Sequence, residues 1–152
     1  MSYASIRPDD WNLPLLVHVL GAMVFVGLLA VVVVILVAAL RGSDRAGTLR
    51  LAFRTLLIGA LPSYIVMRVG AEWVASEENV DEDAAWIGIG YIVTDLGLLL
   101  LIVVTVLTGL ARRRAARGTK EPGGLIRPAT AITLLLIVGY AVALWAMTAK
   151  PA

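Results

Sequence analysis

The chain of 152 residues contains no cysteine and only one histidine. The absence of cysteine excludes disulfides, thiolate metal sites and thiol redox chemistry. One histidine is too few for an ordinary imidazole metal site, because such sites need three or four protein donors. The sequence has no Ser/His/Asp arrangement, phosphate-binding loop or paired-carboxylate motif. We therefore predict neither enzyme activity nor a metal site.

Charged residues are scarce inside four long segments, at about 13–40, 51–75, 84–111 and 125–148. The composition is 60% hydrophobic and the mean hydropathy is +0.90. A bilayer core of about 30 Å needs roughly 20 apolar residues in a helix, and each segment is that long. Backbone groups in lipid must bond internally, so even the β-branched run at 31–38 is predicted to be helical. The sequence predicts a single transmembrane domain over residues 1–152.

The charges that are present lie at opposite ends of these segments. Two stretches, 41–54 and 112–127, carry ten of the thirteen Lys and Arg residues, whereas seven of the eleven acids lie at 9–10 and 77–83. Cytoplasmic loops are enriched in Lys and Arg, so both basic connections are predicted to be cytoplasmic. The four tryptophans then lie at the outer membrane boundary, where indole rings are favoured: Trp11, Trp73, Trp86 and Trp145.

These patterns predict an all-α membrane protein in the cell (plasma) membrane. The expected architecture is an antiparallel four-helix transmembrane bundle with the N- and C-termini outside. The N-terminal stretch MSYASIRPDDW lacks a basic region directly before a short apolar run. It is therefore not predicted to be a signal peptide, and we expect the first span to remain in the mature protein.

Arginines continue the third segment past its cytoplasmic end. They are expected to contact anionic lipids of the inner leaflet, at about 1 kcal/mol per charge: Arg112, Arg113, Arg114 and Arg117. The run directly follows a membrane span and has no interleaved aromatic residues, so nucleic-acid binding is not predicted.

Pro62 interrupts the second span. Proline has no backbone N–H, so it leaves the carbonyl of Ile58 without its helical donor and predicts a kink. In one interpretation the proline is simply tolerated, because neighbouring helices supply hydrogen bonds to the freed backbone groups. In the other it is a hinge that opens a cavity.

Polar side chains within the spans collect at one depth below the tryptophans. At a helical rise of about 1.5 Å per residue, His18, Arg68 and Tyr140 lie roughly 8–10 Å below the tryptophan of their own span. On the same scale Asp95 and Tyr64 lie roughly 14 Å below it, and Glu72 lies near the boundary. The predicted site has seven residues: His18, Tyr64, Arg68, Glu72, Tyr91, Asp95 and Tyr140.

The spacing of these residues predicts shared helix faces. Tyr64, Arg68 and Glu72 are four residues apart, as are Tyr91 and Asp95. A charge facing lipid costs roughly 2.5–3.5 kcal/mol or more, so the cluster is predicted to face the bundle interior. There Arg68 is expected to neutralise Asp95 or Glu72.

Ionisable groups inside membranes commonly mark ligand or ion pathways. Our leading hypothesis is a small polytopic inner-membrane protein with an outward-facing intramembrane polar pocket. The pocket would bind a small anion, a lipid headgroup or a proton-coupled solute. Arg68 would supply fixed positive charge, His18 and Asp95 would exchange protons, and the tyrosines would hydrogen-bond the ligand. No cofactor is needed for this role.

Two other hypotheses use the same residues. In one, the chain is a structural or accessory subunit of a larger membrane complex, or a homo-oligomer, in which an Arg68–Asp95 pair fixes helix register. In the other, it is a haem- or metal-binding redox membrane protein, with His18 as an axial ligand and Arg68 on a propionate. A second histidine would then have to come from another subunit.

The first span reads LPLLVHVLGAMVFVG, in which His18 is followed by Gly21, Ala22 and Gly27. This segment resembles the opening helix, of pattern LxHxLGAxxxxG, of bacterial integral membrane proteins in the family called domain of unknown function 2269. It is also distantly similar to the copper-resistance D membrane proteins. The resemblance implies a four-helix membrane bundle and a role for the histidine, but this family of unknown function implies no reaction.

Overall fold

The computed structural model describes residues 12–42, 44–78, 85–118 and 123–149, and the regular structure in these ranges is entirely helical. The elements are α1 (Asn12–Arg41), α2 (Arg45–Arg54), a π-helical segment (Thr55–Ala60), α3 (Leu61–Glu78), α4 (Ala85–Ala116) and α5 (Gly123–Ala149). The helix α2, the π-helical segment and α3 follow one another without a break.

Four helices are long and apolar enough to cross a membrane: Asn12–Arg41, Arg45–Glu77, Trp86–Ala116 and Gly124–Ala149. Large apolar side chains cover their outer surface, including Met23, Val34, Ile58 and Leu144. Such a surface suits contact with lipid and would be costly in water. These observations confirm the prediction of a helical protein with four candidate membrane spans.

Helix bounds differ from the predicted spans at the arginine-rich ends. The second span was predicted to begin at about residue 51, but helix already begins at Arg45. Asp44 caps it, because its side chain accepts a hydrogen bond of 2.9 Å from the Gly47 N–H. The third span was predicted to end at about 111, but α4 continues to Ala116. Composition therefore predicted the apolar part of all four spans and missed the polar extensions of the second and third.

Each span packs against two neighbours, in the order α1, second span, α4, α5 and back to α1. The core follows one face of α1, where Phe25, Leu29, Val32 and Leu36 are fully buried. Their spacing of four, three and four residues places them on one helix face. One side of the bundle is incomplete, because α4 packs well on α2 but only sparsely on α3.

Two glycines bring the backbones of α1 and α3 close together. A Cβ atom at Gly21 would lie 2.7 Å from the Met67 backbone nitrogen, and one at Gly70 would lie 2.7 Å from the His18 nitrogen. Only a residue without a side chain fits at such distances. Both glycines therefore hold α3 against α1.

The irregularity predicted around Pro62 takes the form of the π-helical segment directly before it. At its end the N–H of Leu61, the first residue of α3, bonds to the carbonyl of Leu56, five residues back. The Ser63 hydroxyl donates to the carbonyl of Gly59 at 2.9 Å, one residue after the Ile58 carbonyl that the proline leaves without its helical donor. This segment separates α2, which packs on α4, from α3, which makes few contacts with α4.

We predict that Gly21→Ala and Gly70→Ala each lower the free energy of unfolding by about 1–3 kcal/mol, because the backbones must move apart to admit a methyl group. Gly27→Ala is the matched control on α1, since a Cβ atom at Gly27 would meet no other atom within 4 Å. It should be neutral or slightly stabilising. Reversible unfolding in detergent, followed by circular dichroism, measures all three; equal effects would contradict the close approach.

Candidate functional site

Charged and aromatic side chains of α3 and α4 lie together on the side of the bundle where these two helices make few contacts. They are Arg68, Glu72, Tyr91 and Asp95. We call these four residues the α3–α4 groove. The helical spacing that predicted shared faces brings them together here, because Arg68 and Glu72 are one turn apart on α3, as are Tyr91 and Asp95 on α4.

Arg68 is the centre of the groove. Its Nη2 atom lies 2.9 Å from Glu72 Oε1 and 3.7 Å from Asp95 Oδ1. Its guanidinium carbon lies 4.8 Å from the centroid of the Tyr91 ring, which is within cation–π range. The predicted pairing of Arg68 with Glu72 or Asp95 is therefore found with both carboxylates, at a shorter distance to Glu72. The guanidinium thereby links α3 to α4 where the two helices otherwise make little contact.

The prediction that the charged residues face an enclosed interior was wrong for two of them. The side chain of Arg68 is 28% exposed, but those of Glu72 and Asp95 are 52% and 68% exposed. The reason is the open side of the bundle. Since α3 is drawn onto α1 and α4 onto α5, no helix of this chain covers the carboxylates within the described ranges.

The groove carries more negative than positive charge. Two ionised carboxylates face one guanidinium, which leaves a formal charge of −1 among these residues. Carboxylates only accept hydrogen bonds, and the 3.7 Å separation between Asp95 and Arg68 is too long for a good one. Asp95 therefore keeps acceptor capacity that could take a proton, a cation or a hydrogen-bond donor. The net negative charge of these residues disfavours the binding of an anion.

Two of the predicted tyrosines belong to the core of the bundle. Tyr64 and Tyr140 are buried and both pack edge-on against the ring of Phe25, at centroid distances of 5.8 and 5.0 Å. The Tyr64 hydroxyl donates to the carbonyl of Thr94 at 3.1 Å, so it joins α3 to α4 beneath the groove. The Tyr140 hydroxyl, which lies against Gly97, has no hydrogen-bond partner among the described residues.

His18 lies at the crossing of α1 and α3. Its Nδ1 atom is 3.0 Å from the carbonyl oxygen of Met67, so this nitrogen carries the proton and donates. Within the described ranges His18 forms no ion pair with Glu72 or Asp95, and no three His, Asp or Glu side chains are grouped as a metal site. Its observed contact is thus a helix-packing hydrogen bond.

The structure therefore divides the seven predicted residues into the groove, the tyrosine pair and the histidine at the helix crossing. Sequence reasoning missed Phe25, which joins the two tyrosines, and the carbonyl acceptors of Met67 and Thr94. Phe25 lies seven residues after His18, on the same face of α1, and that spacing could have indicated it. Backbone acceptors leave no signal in side-chain patterns. Trp11 and most of the acidic stretch 77–83 lie outside the described residues.

Comparison with known proteins adds no relative. No family model, curated protein or solved structure matches the chain. The resemblance of the first span to the domain of unknown function 2269 family therefore stays a prediction, and the role of the site rests on its geometry.

The two buried tyrosines should respond differently to loss of their hydroxyl. Tyr64→Phe removes a hydrogen bond and should lower the free energy of unfolding by about 0.5–1.5 kcal/mol. Tyr140→Phe is the matched change, and it should be neutral or stabilising because the deleted hydroxyl is buried without a partner among the described residues. Unfolding in detergent compares the two. A Tyr140→Phe cost as large as that of Tyr64→Phe would show that its hydroxyl is bonded.

Proposed function

We propose that the chain is a multi-pass protein of the plasma membrane, an antiparallel four-helix bundle with both termini outside. The order of contacts supports this arrangement. His18 meets Gly70 and Leu28 meets Gly59, so rising numbers in α1 meet falling numbers in the second span. In the same way Gly90 meets Met147 and Gly97 meets Tyr140 between α4 and α5. The basic helix ends then belong in the cytoplasm by the positive-inside rule.

Within this topology the α3–α4 groove lies in the outer half of the membrane. Asp95 is nine residues along α4 from Trp86, roughly 14 Å below the boundary on a rise of about 1.5 Å per residue. We propose that the groove binds a small ligand or a proton-coupled solute from the outer side. The supporting observation is Asp95, a mostly exposed carboxylate at a depth where an unmatched charge is costly.

The charges of the α3–α4 groove indicate which chemical class of ligand it binds. The negative balance of the groove favours a cation or a strong hydrogen-bond donor over the anion that Arg68 alone would suggest. In this role Arg68 orients the two carboxylates, and the Tyr91 ring positions the guanidinium. Asp95 accepts the ligand or a proton. His18 acts only on structure, through its bond to α3.

Asp95→Asn should weaken binding of a small organic cation at least tenfold, because a charge-assisted hydrogen bond is worth about 1.5–3 kcal/mol. Methylguanidinium is a suitable probe, with calorimetry on the protein in nanodiscs as the measurement.

Glu77→Gln is the matched control. Glu77 is an exposed carboxylate on α3 that accepts from the Trp73 indole at 3.3 Å and lies outside the groove. Its loss should change binding less than twofold. Unaltered binding by Asp95→Asn, or no methylguanidinium binding by the wild type, would contradict a cation-binding groove.

A second function, a subunit of a larger membrane assembly, is favoured by the surroundings of Asp95. Exposed apolar side chains flank the groove on both helices: Ile65, Val69, Ile92 and Leu99. A membrane span that brings a Lys or Arg side chain would cover this surface and balance its charge. Haem binding remains a separate prediction, in which a partner protomer must supply the second histidine.

The assembly function predicts that a second chain, identical or different, stays bound in mild detergent and is lost in Asp95→Asn but kept in Glu77→Gln. Native mass spectrometry of protein extracted from its own membrane gives the mass of the complex. A single-chain mass for the wild type would contradict the assembly function and leave the ligand-binding groove as the better account.

A further inference from the structure

A second groove lies at the other end of the bundle, between α2 and α4. It has a volume of about 340 Å³. Its lining is apolar along most of its length but includes two arginines. The lining residues are Phe53, Thr105, Val106, Gly109, Leu110, Arg112 and Arg113. We call this cavity the basic-end groove. It shares no residue with the α3–α4 groove.

Arg112 is held in place by an aromatic ring. Its guanidinium carbon lies 4.6 Å from the centroid of the Phe53 ring, which is a cation–π contact. Gly109 makes room for that ring, because a Cβ there would lie 3.0 Å from Phe53 Cε2. A stacked guanidinium keeps its N–H groups available at the edge of its plane. Arg112 is therefore oriented without using its hydrogen-bond donors on Phe53.

The two guanidinium groups of the basic-end groove have no carboxylate partner among the described residues. The one acid at the described helix ends on this side is Asp44, which caps α2. The same helix ends carry nine arginines: Arg41, Arg45, Arg50, Arg54, Arg112, Arg113, Arg114, Arg117 and Arg127. The local field therefore selects an anion.

We infer that the basic-end groove is a binding site for one anionic phospholipid. The phosphate would accept hydrogen bonds from Arg112 and Arg113, and an acyl chain would lie along Val106 and Leu110. A phospholipid has a charged headgroup and an apolar chain, and the groove offers a surface for each. Two guanidinium groups without a carboxylate partner in the described ranges face the headgroup, and the exposed apolar side chains next to them face the acyl chain. This is a defined site, in contrast to general attraction of a basic protein surface to anionic headgroups.

The test compares lipid binding by native mass spectrometry in detergent, with dioleoylphosphatidylglycerol as the probe and dioleoylphosphatidylcholine as the neutral reference. The wild type should retain one phosphatidylglycerol in preference to phosphatidylcholine. The double variant Arg112→Gln/Arg113→Gln should bind phosphatidylglycerol at least tenfold more weakly. The matched double variant Arg41→Gln/Arg127→Gln removes the same charge from two exposed residues outside the groove and should stay within twofold of the wild type.

Val106→Trp tests the apolar half without changing charge. Val106 is 54% exposed, so the larger side chain can enter the groove without disturbing the core. It should weaken phosphatidylglycerol binding about as much as the loss of the two arginines. Equal losses in both double variants would show general electrostatic attraction and overturn the defined site. Unaltered binding in Val106→Trp would overturn the acyl-chain position.

Discussion

The close contact of α1 with α3 determines where this bundle is open. Gly21 and Gly70 let the two backbones meet, and the His18 imidazole adds a hydrogen bond to the Met67 carbonyl. Because α3 is drawn to α1 while α4 is packed on α5, the α3 and α4 helices stay apart. In lipid, packing of small residues is a main source of helix association, so the glycines account for this arrangement without any ligand.

The groove follows from that arrangement as much as from its charged residues. Arg68 reaches across from α3 to α4, with the Tyr64–Thr94 hydrogen bond beneath it. Only one of its two carboxylate partners is within good hydrogen-bond distance. Asp95 is left mostly exposed, with acceptor capacity that its long contact with Arg68 does not use.

Much of this could be predicted from the sequence. Apolar length predicted the four candidate spans, and the shared depth and four-residue spacing of the charged residues predicted that Arg68 pairs with Asp95 or Glu72. The exposure of Asp95 could not be predicted, because it depends on which helices are neighbours, and helical periodicity within a span carries no such information. The helical extensions at Arg45 and Ala116 were missed for a different reason, since arginine-rich helix at a membrane surface has the composition of a loop.

The second span lines both grooves, but with different parts of its length. Its α2 part packs on α4 and forms a wall of the basic-end groove, whereas its α3 part leaves α4 and forms a wall of the α3–α4 groove. The π-helical segment and Pro62 lie between these parts, at the point where backbone hydrogen bonding is least regular. The change in packing partner along the second span therefore coincides with the irregular segment, so the basic-end groove and the α3–α4 groove are formed by parts of one span on either side of it.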